Sequence, residues 1–176
     1  ARFHTDITAL LRYGTRNELR VEVRVGEDSR WYSGAGLHRS VYLHVDEPVH
    51  VEPDGIRITT LDLEADQAVV EIVTRVRNAG LVTASLDVGN EVTGPGGATV
   101  ASVRTPLTVP PGTTQALRQR LVVTDPSPWS PEDPRLHTLR TSLGEAEPLI
   151  TEFGIRTVRV DARRGLRING RSVKLR

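Results

Sequence analysis

Residues 69–109 read VVEIVTRVRNAGLVTASLDVGNEVTGPGGATVASVRTPLTV. Val70, Ile72, Thr74 and Val76 fall on alternate positions, then Val82, Ala84, Leu86 and Val88, then Ala101, Val103, Thr105, Leu107 and Val109. A side-chain period of two puts each set on one face of an extended chain, the pattern of a half-buried strand. Valine and threonine dominate the rows, and β-branched side chains suit a pleated surface better than a helix. Between the rows stand Asn78-Ala79-Gly80 and Gly94-Pro95-Gly96-Gly97, both turn chemistry. Strands broken by turns at this spacing predict an antiparallel sandwich or barrel.

The same rhythm extends in both directions. Upstream, Leu19, Val21, Val23 and Val25 alternate with Arg20, Glu22 and Arg24, and Val41, Leu43 and Val45 alternate with Tyr42 and His44. Downstream come Leu117, Leu121 and Val123, then Leu136 to Leu143 and Ile155 to Val160. Glu52-Pro53-Asp54-Gly55, Pro110-Pro111-Gly112 and Asp125-Pro126-Ser127-Pro128 read as further breaks. Leu166-Arg167-Ile168, Asn169-Gly170 and Arg171-Ser172-Val173 predict a two-residue hairpin, because Asn-Gly supplies the positive-φ pair of a type I′ turn. No segment carries a 3.6-residue period. The chain therefore divides into residues 1–48, with two or three strands and a Gly-rich loop; 49–160, an immunoglobulin-like antiparallel sandwich; and 161–176, a hairpin. Val70, Ile72, Val76, Leu86, Val103, Leu121, Leu139 and Val158 are the expected core.

Composition narrows the function. The 176 residues carry 23 Lys+Arg against 22 Asp+Glu, a formal +1, which speaks against a strongly basic nucleic-acid binder. All but Lys174 of the cationic residues are arginine. Cysteine is absent, which removes disulfides, thiolate metal sites and a cysteine nucleophile. No apolar run approaches the ~18 residues of a membrane span and no signal-peptide pattern opens the chain, so a cytoplasmic location is favoured. Aromatic residues make up 4%, few for a surface that stacks sugars on rings.

Motifs for chemistry are sparse. Asn17-Glu18 and Asn90-Glu91 have the look of a sugar-holding Asn beside an acid, but both read as solvated residues at strand edges or turns. His4, His38, His44, His50 and His137 show no ligand spacing, no Gly-x-Ser-x-Gly elbow occurs, and no Lys-Ser/Thr follows Gly94-Pro95-Gly96-Gly97. We therefore expect no catalytic residue, no metal and no cofactor. One loop looks specified, Arg30-Trp31-Tyr32-Ser33-Gly34-Ala35-Gly36-Leu37-His38-Arg39, with two glycines beside two aromatics. It either anchors one sheet or, through Arg30, Trp31 and Tyr32, reaches a partner surface or the rim of a cleft.

That loop is one of four stretches that resemble the non-catalytic β-sandwich region of glycoside hydrolase family 2, the β-galactosidases, β-glucuronidases and β-mannosidases. Phe3-His4-Thr5-Asp6-Ile7-Thr8, with Asn17-Glu18-Leu19 and Val21-Glu22-Val23, resembles the end of the family's sugar-binding, jelly-roll type sandwich, and Arg30 to Arg39 its closing loop and strand. Trp129-Ser130-Pro131 through Pro134-Arg135-Leu136-His137-Thr138-Leu139 resembles the late part of the immunoglobulin-like domain. Phe153 to Val158, Leu166 to Gly170 and Val173 to Arg176 resemble the passage into the catalytic barrel. Tyrosine often stands in the family where this chain has His38 and His137.

The resemblance implies an all-β chain, an immunoglobulin-like sandwich preceded by part of a second sandwich, taken from inside a longer glycosidase. It places the acid/base and nucleophile glutamates on the barrel, outside this chain, so the fragment alone is no enzyme. Its partner is then the remainder of the parent chain, with no nucleic acid or membrane, and residues 1–48, half of a sandwich, are expected to drive self-association. The alternative is a stand-alone immunoglobulin-like binding or adhesion module.

Overall fold

A computed structural model of the chain describes residues 3–24, 26 and 36–174. Two compact units divide at Val45 and Asp46. Among the described residues the fold is all-β, with a single short turn of 3-10 helix at Thr8–Leu10.

Among its described residues the second unit carries ten strands: β1 (Val49–Leu63), β2 (Gln67–Asn78), β3 (Ala84–Thr93), β4 (Thr99–Val109), β5 (Thr114–Thr124), β6 (His137–Leu143), β7 (Leu149–Phe153), β8 (Val158–Asp161), β9 (Gly165–Ile168) and β10 (Arg171–Ser172). Seven form a sandwich of a three-stranded sheet, β1-β2-β5, and a four-stranded sheet, β4-β3-β6-β7, with antiparallel neighbours throughout. The turns are those the residues require: Gly97 and Gly112 take φ of 84° and 68° in the β3–β4 and β4–β5 connections. Strands β8, β9 and β10 form a small separate sheet. Its Asn169 and Gly170 adopt φ of 48° and 76°, the positive pair expected of the Asn-Gly turn.

The facing sides close on two aliphatic clusters. The larger holds Ala68, Val70, Ile72, Val92, Leu121, Val123, Leu139 and Ile155; the smaller holds Val76, Val88 and Val109. Each fully buried Val, Leu or Ile contributes roughly 1.5–3 kcal/mol by leaving water, so packing alone can hold a sandwich that has no disulfide. Of the expected core, Val70, Ile72, Val76, Leu121 and Leu139 are buried, and Leu86 and Val103 pack half-buried against the clusters.

Four expectations need correction. Val158 is 55% exposed, because the last strand of the sandwich ends at Phe153 and β8 belongs to the small sheet. Val82 is 76% exposed and precedes β3, since the Asn78 turn is longer than the alternation implied. Glu52-Pro53-Asp54-Gly55 is no break: it lies within β1 as a bulge, with the register slipping between Val51 and Ile56. Gly55 is required there, because a Cβ would lie 2.6 Å from the Glu52 carbonyl oxygen and 3.1 Å from that of Arg75.

The fourth concerns the first unit. The described residues of the Leu19–Val25 and Val41–Val45 rows make no strand ladder, and Leu19, Val21, Val23, Val41, Leu43 and Val45 are exposed. Alternation records which side chains want cover, but a strand also needs a neighbouring backbone to pair with.

Candidate functional site

The most tightly specified cluster lies where the sandwich passes into the small sheet. After β5 a stretch without regular secondary structure, containing Pro126 and Pro128, leads to Trp129. The Trp129 N–H donates to the Ile155 carbonyl at 2.9 Å, and the Trp129 carbonyl accepts from the Asn169 side-chain amide at 2.9 Å. Asn169 also accepts the Thr157 N–H at 3.0 Å through its side-chain oxygen and donates its own N–H to the Thr157 carbonyl at 3.0 Å. One asparagine thus ties the β9–β10 turn to both segments.

The indole has two close neighbours. Gly154 lies against one side so closely that a Cβ there would sit 2.7 Å from Trp129 Cβ and Cγ. The Arg156 guanidinium lies over the ring, 4.5 Å from its centroid, a cation–π contact. The Arg156 N–H donates to the Thr60 hydroxyl at 3.2 Å, which pins the same segment to β1. Beside it opens a shallow cleft of about 510 Å³ lined by Ile58, Thr60, Leu136, Phe153, Arg156 and Val158. This is a joint: it fixes the direction in which the chain leaves the sandwich.

Three carboxylates, those of Glu52, Glu71 and Asp161, are held below their ordinary values. A glycosidic general acid needs a carboxyl whose pKa is raised. Glu52 is held below its ordinary value by the Thr114 hydroxyl at 2.6 Å and then by Arg75 at 2.8 Å. At Glu71 burial pushes upward, but hydrogen bonds and charge from Arg120 and Arg118, at 3.1 and 3.0 Å, outweigh it and lower the carboxyl. The N–H groups of Arg163 and Arg164, each at 2.8 Å, lower Asp161.

Arg30, Trp31 and Tyr32 lie outside the described residues. Asn17 is a turn residue, as expected, its side chain bonded to the backbone of Arg12 and Thr15. Asn90 corrects the expectation of a solvated turn. It sits in mid-β3, is buried between the sheets, donates to Gln119 at 2.6 Å and accepts from the Thr141 hydroxyl at 2.6 Å. Gln119 in turn donates to Thr105 at 2.9 Å and to the Val88 carbonyl at 3.2 Å. Sequence reasoning missed this belt, although Asn90 and Gln119 each occupy an inward step of an alternating row. His137 is also buried, 5.9 Å from the Phe153 ring, and desolvation pushes its imidazole below 6.5. Among the described residues no group of His, Asp and Glu could hold a metal ion, and no helix is long and apolar enough to cross a membrane.

Comparison with known proteins bears on the same segments. The chain is 34% identical over 179 aligned positions to a β-galactosidase of Bacteroides ovatus, covering 98% of this chain and 21% of that protein. It is 31% identical over 180 positions to a putative β-glucuronidase of Formosa agariphila, covering 99% of this chain and 16% of that protein. The chain thus spans about a fifth of these relatives' lengths. Among solved structures, a glycosyl hydrolase family 2 member from Bacteroides cellulosilyticus superposes with a TM-score of 0.68 at 26% identity, over 73% of this chain and 18% of that one. A Bacteroides uniformis β-glucuronidase does so with a TM-score of 0.63 at 25% identity, over 73% and 17%. The sequence profile of glycosyl hydrolases family 2 matches residues 49–156, from the first strand of the sandwich to the arginine stacked on Trp129. With the whole sandwich and Trp129, Gly154 and Arg156 of the joint inside that match, the chain belongs to glycosyl hydrolase family 2.

Proposed function

We propose that this chain is the non-catalytic β-sandwich portion of a family 2 glycoside hydrolase. Residues 1–48 are the C-terminal part of a sugar-binding-type sandwich, 49–160 the immunoglobulin-like domain, and 161–176 the hairpin that leads into the catalytic barrel. The parent hydrolyses β-galactosides, β-glucuronides or related O-glycosides with retention, using two carboxylates carried on the barrel, and works in the cytoplasm. Arg30, Trp31 and Tyr32 belong to the rim of its cleft or to an interdomain loop.

The observation that carries this reading is the family match over residues 49–156 in a chain that spans about a fifth of its relatives' lengths. Glu52, Glu71 and Asp161 are all driven towards the ionised form by arginine, hydroxyl or backbone donors, the reverse of what a general acid needs. The module supports and orients; it does not cut. Assay of the chain with nitrophenyl β-galactoside and β-glucuronide is expected to give no turnover. Turnover that survives repurification and vanishes when one Glu or Asp is replaced overturns the reading. Exposed Leu19, Val21, Val23, Val41, Leu43 and Val45 also support self-association of the isolated chain. Light scattering at micromolar protein is expected to give more than the 19.4 kDa of one chain, and a strictly monomeric mass refutes it.

A further inference from the structure

The two outer faces of the sandwich differ in charge. On the four-stranded sheet, the register turns Arg104 and Arg140 outward together with Asp87, Glu91 and Glu152, a net negative face. On the three-stranded sheet, alternation with the buried Val70, Ile72, Thr74 and Val76 turns Glu71, Val73, Arg75 and Arg77 outward. The register then aligns Arg57 and Arg118 with Val73, and Arg120 with Glu71. Five arginines share this face with Glu52 and Glu71, and Asp62 stands at its far end beside Val69. The row of Glu71 and the row of Arg77 are six residues apart on β2, so the arginines span roughly 20 Å at the rise of an antiparallel strand. In a chain of formal charge +1, this is a concentrated cationic surface.

The guanidiniums are organised from beneath. The Glu71 side chain is only 5% exposed although it points outward, while Arg118 and Arg120, which cover it, remain 60% and 64% exposed. Arg118 gives Glu71 one Nη and Arg120 its Nε, which leaves most of their N–H donors facing solvent. Arg75 is held in the same way by Glu52. Arg57 and Arg77 make no ion pair among the described residues.

We propose that this face binds an anionic polysaccharide, its carboxylate or sulfate groups gripped by Arg57, Arg75, Arg77, Arg118 and Arg120. Guanidinium forks fit both groups in bidentate fashion, and basic patches of this size hold acidic glycans. Among the described residues no Phe, Tyr or Trp lies on the face to stack a base or the ring of a neutral sugar. The inference rests on the glycosidase reading and names the substrate class: the face holds an acidic chain while the barrel cleaves it.

The test is affinity electrophoresis of the 176-residue chain through gels containing polygalacturonate, dextran sulfate, neutral dextran or double-stranded DNA, at about 50 mM salt where screening is modest. Retardation by polygalacturonate identifies carboxylate, and by dextran sulfate identifies sulfate, as the group held; neutral dextran is expected to have no effect. Arg57→Gln with Arg77→Gln, both exposed and free of buried partners, is expected to weaken binding about tenfold or more, and Arg104→Gln with Arg140→Gln on the other face to leave it unchanged. Absence of retardation by both acidic polymers, equal loss from the two double variants, or tighter binding to DNA than to either glycan overturns the proposal. The family reading is tested separately by the turnover assay, so the two can fail independently.

Discussion

Replacing Asn90 with alanine strikes the centre of the sandwich. The Asn90 amide bridges the sheets, donating to Gln119 on β5 at 2.6 Å and accepting from Thr141 on β6 at 2.6 Å. Truncation leaves the Gln119 Oε1 without its donor and the Thr141 hydroxyl without its acceptor, both on buried residues. Each orphaned group costs ~1–3 kcal/mol, so the expected loss is about 2–6 kcal/mol, a large share of the ~5–15 kcal/mol that holds a typical domain. Urea unfolding measures it, with Trp31→Phe as the background so that Trp129 reports alone on the second unit. At a slope of ~2 kcal/mol per M, a 4 kcal/mol loss moves the midpoint by about 2 M. Combined with Gln119→Ala, the loss should fall short of the sum by about 1–2 kcal/mol, because both substitutions remove the same bond. A loss below about 1 kcal/mol, or strict additivity, refutes the bridge and returns Asn90 to a solvated position.

Three further outcomes are expected. Leu139→Ala, at a fully buried position of the larger cluster, should cost ~2–5 kcal/mol by equilibrium unfolding, and a loss under about 1 kcal/mol would mean a misread core. Gly154→Ala drives a methyl into Trp129, so its emission should shift to the red and stability fall by ~1–3 kcal/mol; unchanged emission contradicts the stacked joint. Stability should fall as pH drops below 6.5, where the unfolded chain protonates His137 but the buried native imidazole resists, and fall again below 4.5 as Glu52 and Glu71 take up protons. A His137→Phe variant whose stability declines as steeply between pH 6.5 and 5 assigns the first loss elsewhere.

The legible part of the fold was wherever one face is dry and the other wet. Val70 to Val76 and Ala101 to Val109 announce strands because burial on one side forces the period of two. The Asn169-Gly170 turn was legible because few residues take two successive positive φ values. Pro53 and Gly55 misled because the same residues that end a strand also build a bulge, and only the partner strand distinguishes the two. The rows at Leu19 and Val41 misled for a related reason: side-chain alternation is local, while a ladder is a property of two segments. Asn90 and Gln119 were missed because a polar residue on an inward step reads as a break in the pattern unless its partner on another strand is known. For the joint, Trp129 and Asn169 stand 40 residues apart, and no local signal connects them.

These features bear on the choice between the proposed supporting module and a free-standing binder. A binding module built on a sandwich places its specified chemistry on the loops at one end and leaves those loops free to vary. Here the β3–β4 and β4–β5 connections are short glycine turns, with Gly96, Gly97 and Gly112 open to solvent around their Cα atoms. The exacting contacts lie elsewhere. One set, the Asn90–Gln119–Thr141 belt, fixes how the two sheets register, since a one-residue slip of β5 would turn Gln119 to the outside and leave its partners unpaired. The other, around Trp129, fixes the direction of exit, with a glycine that admits no side chain, an arginine stacked on the ring and an asparagine that bonds two segments at once. Rigidity within the sandwich and rigidity at its exit are what a chain needs in order to hold another domain at a set angle. A domain that only presents a surface has no need of the second.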